Sequence, residues 1–205
     1  MGHLSIKVHL FRVLGLLALS PLLAAPAPAA PHSRHYIDQR TGVDAWRWSG
    51  EGISLQLIQR LPDQTRAFFL ARGFPRPAVE RLASHCVFQT IFHNTAGSGG
   101  GVVHLDLANW RIDHGQSLIL KKQWQQQWRR MGVPRPARIA FRWSLFPTVQ
   151  KFAPGDWNMG MTTYPVAPGT TVDVHFSWRR HGKLQHGVIQ GARCAPDVDM
   201  EDKTQ

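Results

Sequence analysis

The stretch TTVDVHFSWRRHGKLQHGVIQGARC, residues 170–194, constrains this chain most. Val172, Val174, Phe176 and Trp178 alternate with Asp173, His175 and Ser177, a period of two that puts the apolar set on one face of a strand. His181-Gly182 then offers a two-residue turn of the kind hairpins prefer, and the chain returns. A strand apolar on one face needs a second layer to cover it. VDAWRWSG (43–50) and ISLQLIQR (53–60) carry the same alternation, with Ile53, Leu55 and Leu57 opposed to Ser54 and Gln56. HCVFQTIFHN (85–94) and VVHLDLANWRI (102–112) read as two further strands joined as a hairpin by the glycine-rich TAGSGGG. ARIAFRWSLF (137–146) also reads as a strand, with Ile139, Phe141 and Trp143 on one side. About eight strands with turn signals every ten or so residues predict a mainly β chain, an antiparallel β-sandwich that is immunoglobulin-like or related.

Helical spacing is confined to short insertions. LPDQTRAFFLARGF (61–74) offers Asp63 as a cap and Gly73 as a stop, and PRPAVERLAS (75–84) begins with proline in its first turn. In LILKKQWQQQWRRMG (118–132), Leu120, Trp124, Trp128 and Met131 recur at helical intervals, which predicts core anchors. GFPRPA (73–78) and GVPRPA (132–137) share a helix-stop grammar of glycine, apolar residue and proline. With a helix expected after the first and a strand after the second, the pair reads as punctuation used twice rather than a duplicated unit.

The first 29 residues read as a signal peptide. Lys7 and Arg12 precede an apolar run from Val13 to Ala25, and alanines and prolines follow. That run is shorter than the roughly 20 residues a membrane span needs. Cleavage after Ala29 would leave residues 30–205 as one domain with no transmembrane segment, exported to a periplasm. In an oxidising compartment the two cysteines, Cys86 and Cys194, are expected to form one disulfide.

Charge narrows the partners. The net charge is +11, and of the 24 basic residues 18 are arginine, which suits carboxylate and phosphate partners. The basic residues read as spread along the chain. Export argues against nucleic acid and for an acidic polymer or a periplasmic protein.

No catalytic constellation emerges. Ser98 lacks the strand–turn–helix setting of a nucleophile elbow, and Asp113, His114 and Ser117 are too close in sequence to orient one another. The glycine loop has no following Gly-Lys-Ser/Thr, and His-Glu-x-x-His is absent. Two binding readings remain. Met159 and Met161 point the same way in an extended segment, and with His93, His104 and His175 they form a candidate soft site for copper. Alternatively Trp157, on a loop with Pro154 and Gly155, docks a partner together with the basic rim residues Arg179 and Arg180.

Overall fold

The computed structural model describes residues 1–2 and 32–197. Apart from its first two positions, the leader read over 1–29 lies outside the described residues.

Eleven strands form two antiparallel sheets, and four α-helices pack beside them. The first sheet has the order β1 (His32–Ile37), β2 (Asp44–Gly50), β3 (Ile53–Gln59), β4 (Cys86–Asn94), β9 (Trp157–Tyr164). The second is built around β10 (Thr171–Arg180). β11 (Lys183–Arg193) lies along one of its edges, and β5 (Val103–Asp106) and β6 (Arg111–Ile112) share the other. β8 (Val149–Phe152) pairs outside β5, and β7 (Gln116–Ser117) outside β6.

The expected hairpin at 170–194 is present. Val172, Val174, Phe176 and Trp178 are all buried, and His181 and Gly182 take φ of 49° and 75° in the turn between the strands. Glu51 and Gly52 turn β2 into β3 in the same left-handed conformation. One register shift sets Gln190 and Gly191 of β11 against Asp173 alone, a bulge in β11 with Gly191 at φ 63°.

The inner faces of the two sheets share one core. Trp48 of the first sheet meets Phe176 and Trp178 of the second at ring distances of 5.2 and 5.3 Å, and Phe92 meets Phe152 at 4.8 Å. Burying each such side chain stabilises the fold by about 1.5–3 kcal/mol relative to exposure. Cys86, which opens β4, and Cys194, which follows β11, are bonded across the two sheets with a Cα–Cα separation of 5.3 Å.

Gly160, between Met159 and Met161, is set by packing. The Leu145–Phe146 segment crosses β9 there, and a Cβ on Gly160 would stand 2.4 Å from the Phe146 nitrogen. Phe146 N–H donates to the Met161 carbonyl in the same crossing. The glycine is required by close backbone approach, with no reference to a metal.

The helices form two hairpins that pack on the outer face of the first sheet. α1 (Pro62–Leu70) and α2 (Arg76–Ala83) make one, and α3 (Lys121–Arg130) and α4 (Arg135–Ser144) the other. Their second apolar cluster joins Phe69, Phe74, Leu82, Trp128 and Phe141 to Val87 and Met161 of the sheet.

Three sequence expectations change. Residues 137–146, read as strand, fall mostly in helix α4, Arg135–Ser144. Prolines at 134 and 136 suit a helix start, and the residues that reach the core are Ala137, Phe141 and Leu145, spaced by four. Ile139 and Trp143, which supplied the apparent alternation, are solvent-exposed. The TAGSGGG loop does not close a hairpin, because β4 belongs to the first sheet and β5 to the second. Asp63 does not cap α1. The cap position is Leu61 with Pro62 following, and Asp63 instead accepts a bond from Arg66.

The near-repeat therefore reaches beyond punctuation. At a constant offset of 59 residues, Thr65, Phe69, Phe74, Ala78 and Leu82 match Trp124, Trp128, Val133, Ala137 and Phe141, and all ten are buried. The caps match as well. Phe74 N–H donates to the Phe69 carbonyl and Val133 N–H to the Trp128 carbonyl, past Gly73 and Gly132 at φ 79° and 67°.

Candidate anion-binding cleft

The two hairpins share a scaffold and differ in charge. In the first, the groove between the helices is closed by the chain's own carboxylates. Arg66 Nε donates to Glu80 at 2.9 Å and Arg66 Nη1 to Asp63 at 2.9 Å. The guanidinium also forks onto Asp197, from the segment after the disulfide, at 2.9 and 2.6 Å. Three carboxylates around one mostly buried guanidinium hold its pKa far above the usual arginine value.

In the second hairpin, Gln125 replaces Arg66 and Ile139 replaces Glu80 at the same offset. Gln125 and Arg129 of α3 face Arg135, Arg138, Ile139 and Arg142 of α4 across an open cleft. Among the described residues, none of these four arginines forms an ion pair. The Arg138 Nε–H is buried and has no hydrogen-bond partner among them. No aspartate or glutamate occurs between Asp113 and Asp156. The helices themselves carry Lys121, Lys122, Arg129, Arg130, Arg135, Arg138 and Arg142. Arg142 and burial together push the Lys121 pKa down, burial contributing most. Four planar, always-charged forks converging on one groove suit phosphate or carboxylate groups, which they can grip bidentately.

Reading the bases as evenly spread missed this cleft. The signal was present as an acid-free run of some forty residues. It is diluted when charge is averaged over the whole chain, and the strand assignment of 137–146 hid the helical spacing of Arg135, Arg138 and Arg142.

The residues selected from sequence lie elsewhere. Met161 is buried under the helices, while Met159, on the same face of β9, is exposed. His93 pairs with Trp157 in the β4–β9 register, on that outer face of the first sheet. His104 and His175 are exposed on the outer face of the second sheet, where His104 stands opposite Arg179 and His175 opposite Arg111. The five candidate copper ligands are thus divided between two faces that point away from each other. The reason is topological: the chain crosses between sheets at residues 95–102 instead of turning back on itself. Among the described residues, no three His, Cys, Asp or Glu side chains gather as a metal site.

Trp157 is 58% exposed. Arg179 is exposed, but Arg180 is committed to the fold. Its guanidinium donates to the Glu51 carbonyl at 2.7 Å, the Gly52 carbonyl at 3.1 Å and Asn94 Oδ1 at 2.9 Å. Asp113 is also structural, accepting the Asp173 N–H at 3.0 Å opposite the bulge of β11. No helix among the described residues is long and apolar enough to cross a membrane. Compared with known proteins, the chain matches no family model, no curated protein and no solved structure.

Proposed function

We propose that this chain is an exported binding module, a β-sandwich of immunoglobulin-like or related type, that holds an anionic partner in the α3–α4 cleft. The partner is an acidic polymer or acidic protein surface of the periplasm. One observation carries the reading. The same helical hairpin occurs twice, and the groove that is neutralised internally by Glu80, Asp63 and Asp197 in one copy is lined in the other by four arginines that form no ion pair among the described residues. Holding four like charges together without counter-ions costs stability, so an anion bound there relieves repulsion as well as gaining contacts. The copper reading has no assembled ligand set behind it and is set aside.

Retention on immobilised heparin tests the cleft. The triple substitution Arg135→Gln, Arg138→Gln and Arg142→Gln should elute at markedly lower salt than the parent. A control removing the same charge elsewhere, Arg40→Gln, Lys183→Gln and Arg193→Gln, should elute close to the parent. Equal shifts in both variants would reduce the cleft to general basicity.

A further inference from the structure

The solvent face of α4 carries more than charge. Ile139 and Trp143, four residues apart and so on one stripe, are 43% and 76% exposed, and Trp143 is the most exposed tryptophan of the fold. Arg135, Arg138 and Arg142 flank that stripe, and the Arg142 guanidinium lies 5.7 Å from the Trp143 ring centroid. The opposite face of the helix is pinned to the core by Ala137 and Phe141, so the stripe cannot turn inward. An acidic soluble polymer explains the arginines but gives no role to a tryptophan and an isoleucine held in water. A helix face of arginine with tryptophan and a branched apolar residue fits the boundary between phosphate headgroups and acyl chains.

The side of the molecule agrees. β9 places Met159 and Trp157 on the same outer face of the first sheet that the helices cover, 42% and 58% exposed. Arg34 and Arg47 pair across β1 and β2 on that face, each within 5.7 Å of the Tyr36 ring. Of the carboxylates, Asp63 and Glu80 in the helical layer are engaged by Arg66.

We infer that the α3–α4 side of this protein docks on an anionic lipid bilayer, with Trp143 and Ile139 seated at the interface and the cleft arginines on headgroup phosphates. This rests on the anion-binding reading of the cleft and puts a lipid surface in place of the acidic polymer or protein.

Co-sedimentation of the whole protein with vesicles of phosphatidylcholine, with and without phosphatidylglycerol, tests it. Binding is expected only where phosphatidylglycerol is present. It should weaken about fivefold for each of Arg135, Arg138 and Arg142 changed to glutamine. The pair Ile139→Ser and Trp143→Ser, both at exposed positions, should weaken it about tenfold or more, and Trp143→Ser alone, outside the cleft lining, should weaken vesicle binding while leaving heparin retention unchanged. Vesicle binding that survives the serine pair overturns the inference. So does arginine-dependent heparin retention without any vesicle binding, in which case the anion cleft stands and the bilayer does not. Loss of arginine dependence on both supports removes both readings. Unchanged thermal unfolding of the serine pair establishes that its loss of binding is not loss of fold.

Discussion

Gly160 shows how much one missing atom can decide. Gly160→Ala would drive a Cβ into the Phe146 N and Cα, at 2.4 and 2.6 Å, and neither backbone atom can rotate away as a side-chain tip could. The expected cost is about 2–3 kcal/mol, at the upper end of the usual overpacking range, read as a lower urea midpoint. Asn94 is a second such point. Fully buried, it donates to the Gly101 and Phe152 carbonyls, both at 3.0 Å, and accepts from Arg180, joining β4, the crossover loop, β8 and β10. Asn94→Ala strips partners from two carbonyls and a guanidinium and should cost about 2–3 kcal/mol. His85 adds a pH dependence. Its Nδ1 stands 2.8 Å from the Arg81 carbonyl and so carries a proton, and its ring lies 5.3 Å from Trp124. Burial is the main cause that lowers its pKa. Above about 6.5, the unfolded value, the neutral ring costs nothing. As pH falls below that, the unfolded chain takes up a proton that the folded one resists, and stability declines toward the lowered folded value. His85→Asn keeps a donor for Arg81 and should flatten the fall in urea midpoint between about pH 7.5 and about pH 5. Parallel slopes for parent and variant would remove His85 from that account.

Among elements, the twin hairpins carry the lesson about what a sequence reveals. The β10–β11 hairpin was legible because Val172 to Trp178 bury one face only and His181-Gly182 fixes the register. Helix α4 was not, because Ile139, Phe141 and Trp143 mimic a period of two when exposed and buried apolar residues are weighed alike. Only Phe141 of the three is core. The correcting signal was the repeated GxPRPA read at its full offset of 59 residues, which aligns buried Phe69 with Trp128 and Leu82 with Phe141. The anion cleft was illegible for the same reason, since arginines at 135, 138 and 142 converge only on a helix. The repeat also predicts where the two copies differ in energetics. Arg66→Met removes the guanidinium that Asp63, Glu80 and Asp197 share and should cost about 2 kcal/mol. Gln125→Met, at the matching position, breaks no side-chain hydrogen bond among the described residues and should fall within about 0.5 kcal/mol of the parent. Comparable losses for the two would mean that the groove of the second hairpin is held by its own contacts.

At the scale of the whole molecule, the disulfide ties together two sheets that already share one core. Cys86 and Cys194 are 108 positions apart, both buried, and they join the start of β4 to the end of β11, with most of the described chain between them. A cross-link of that span acts chiefly on the unfolded chain, by forbidding its most expanded conformations. The chain-entropy account gives about 4–5 kcal/mol for a loop of this length. Cys86→Ala with Cys194→Ala should therefore lower the unfolding temperature by roughly 10–18 °C in a chain of this size. Reductant should produce a similar shift in the parent and none in the double variant. The denaturant slope separates the two ways this could happen. An unfolded chain freed of its cross-link expands and exposes more surface, so m should rise in the variant as the midpoint falls. A fall in midpoint at constant m would place the bond's contribution in native contacts between the sheets, and the account in which sulfur restrains the unfolded chain would fail.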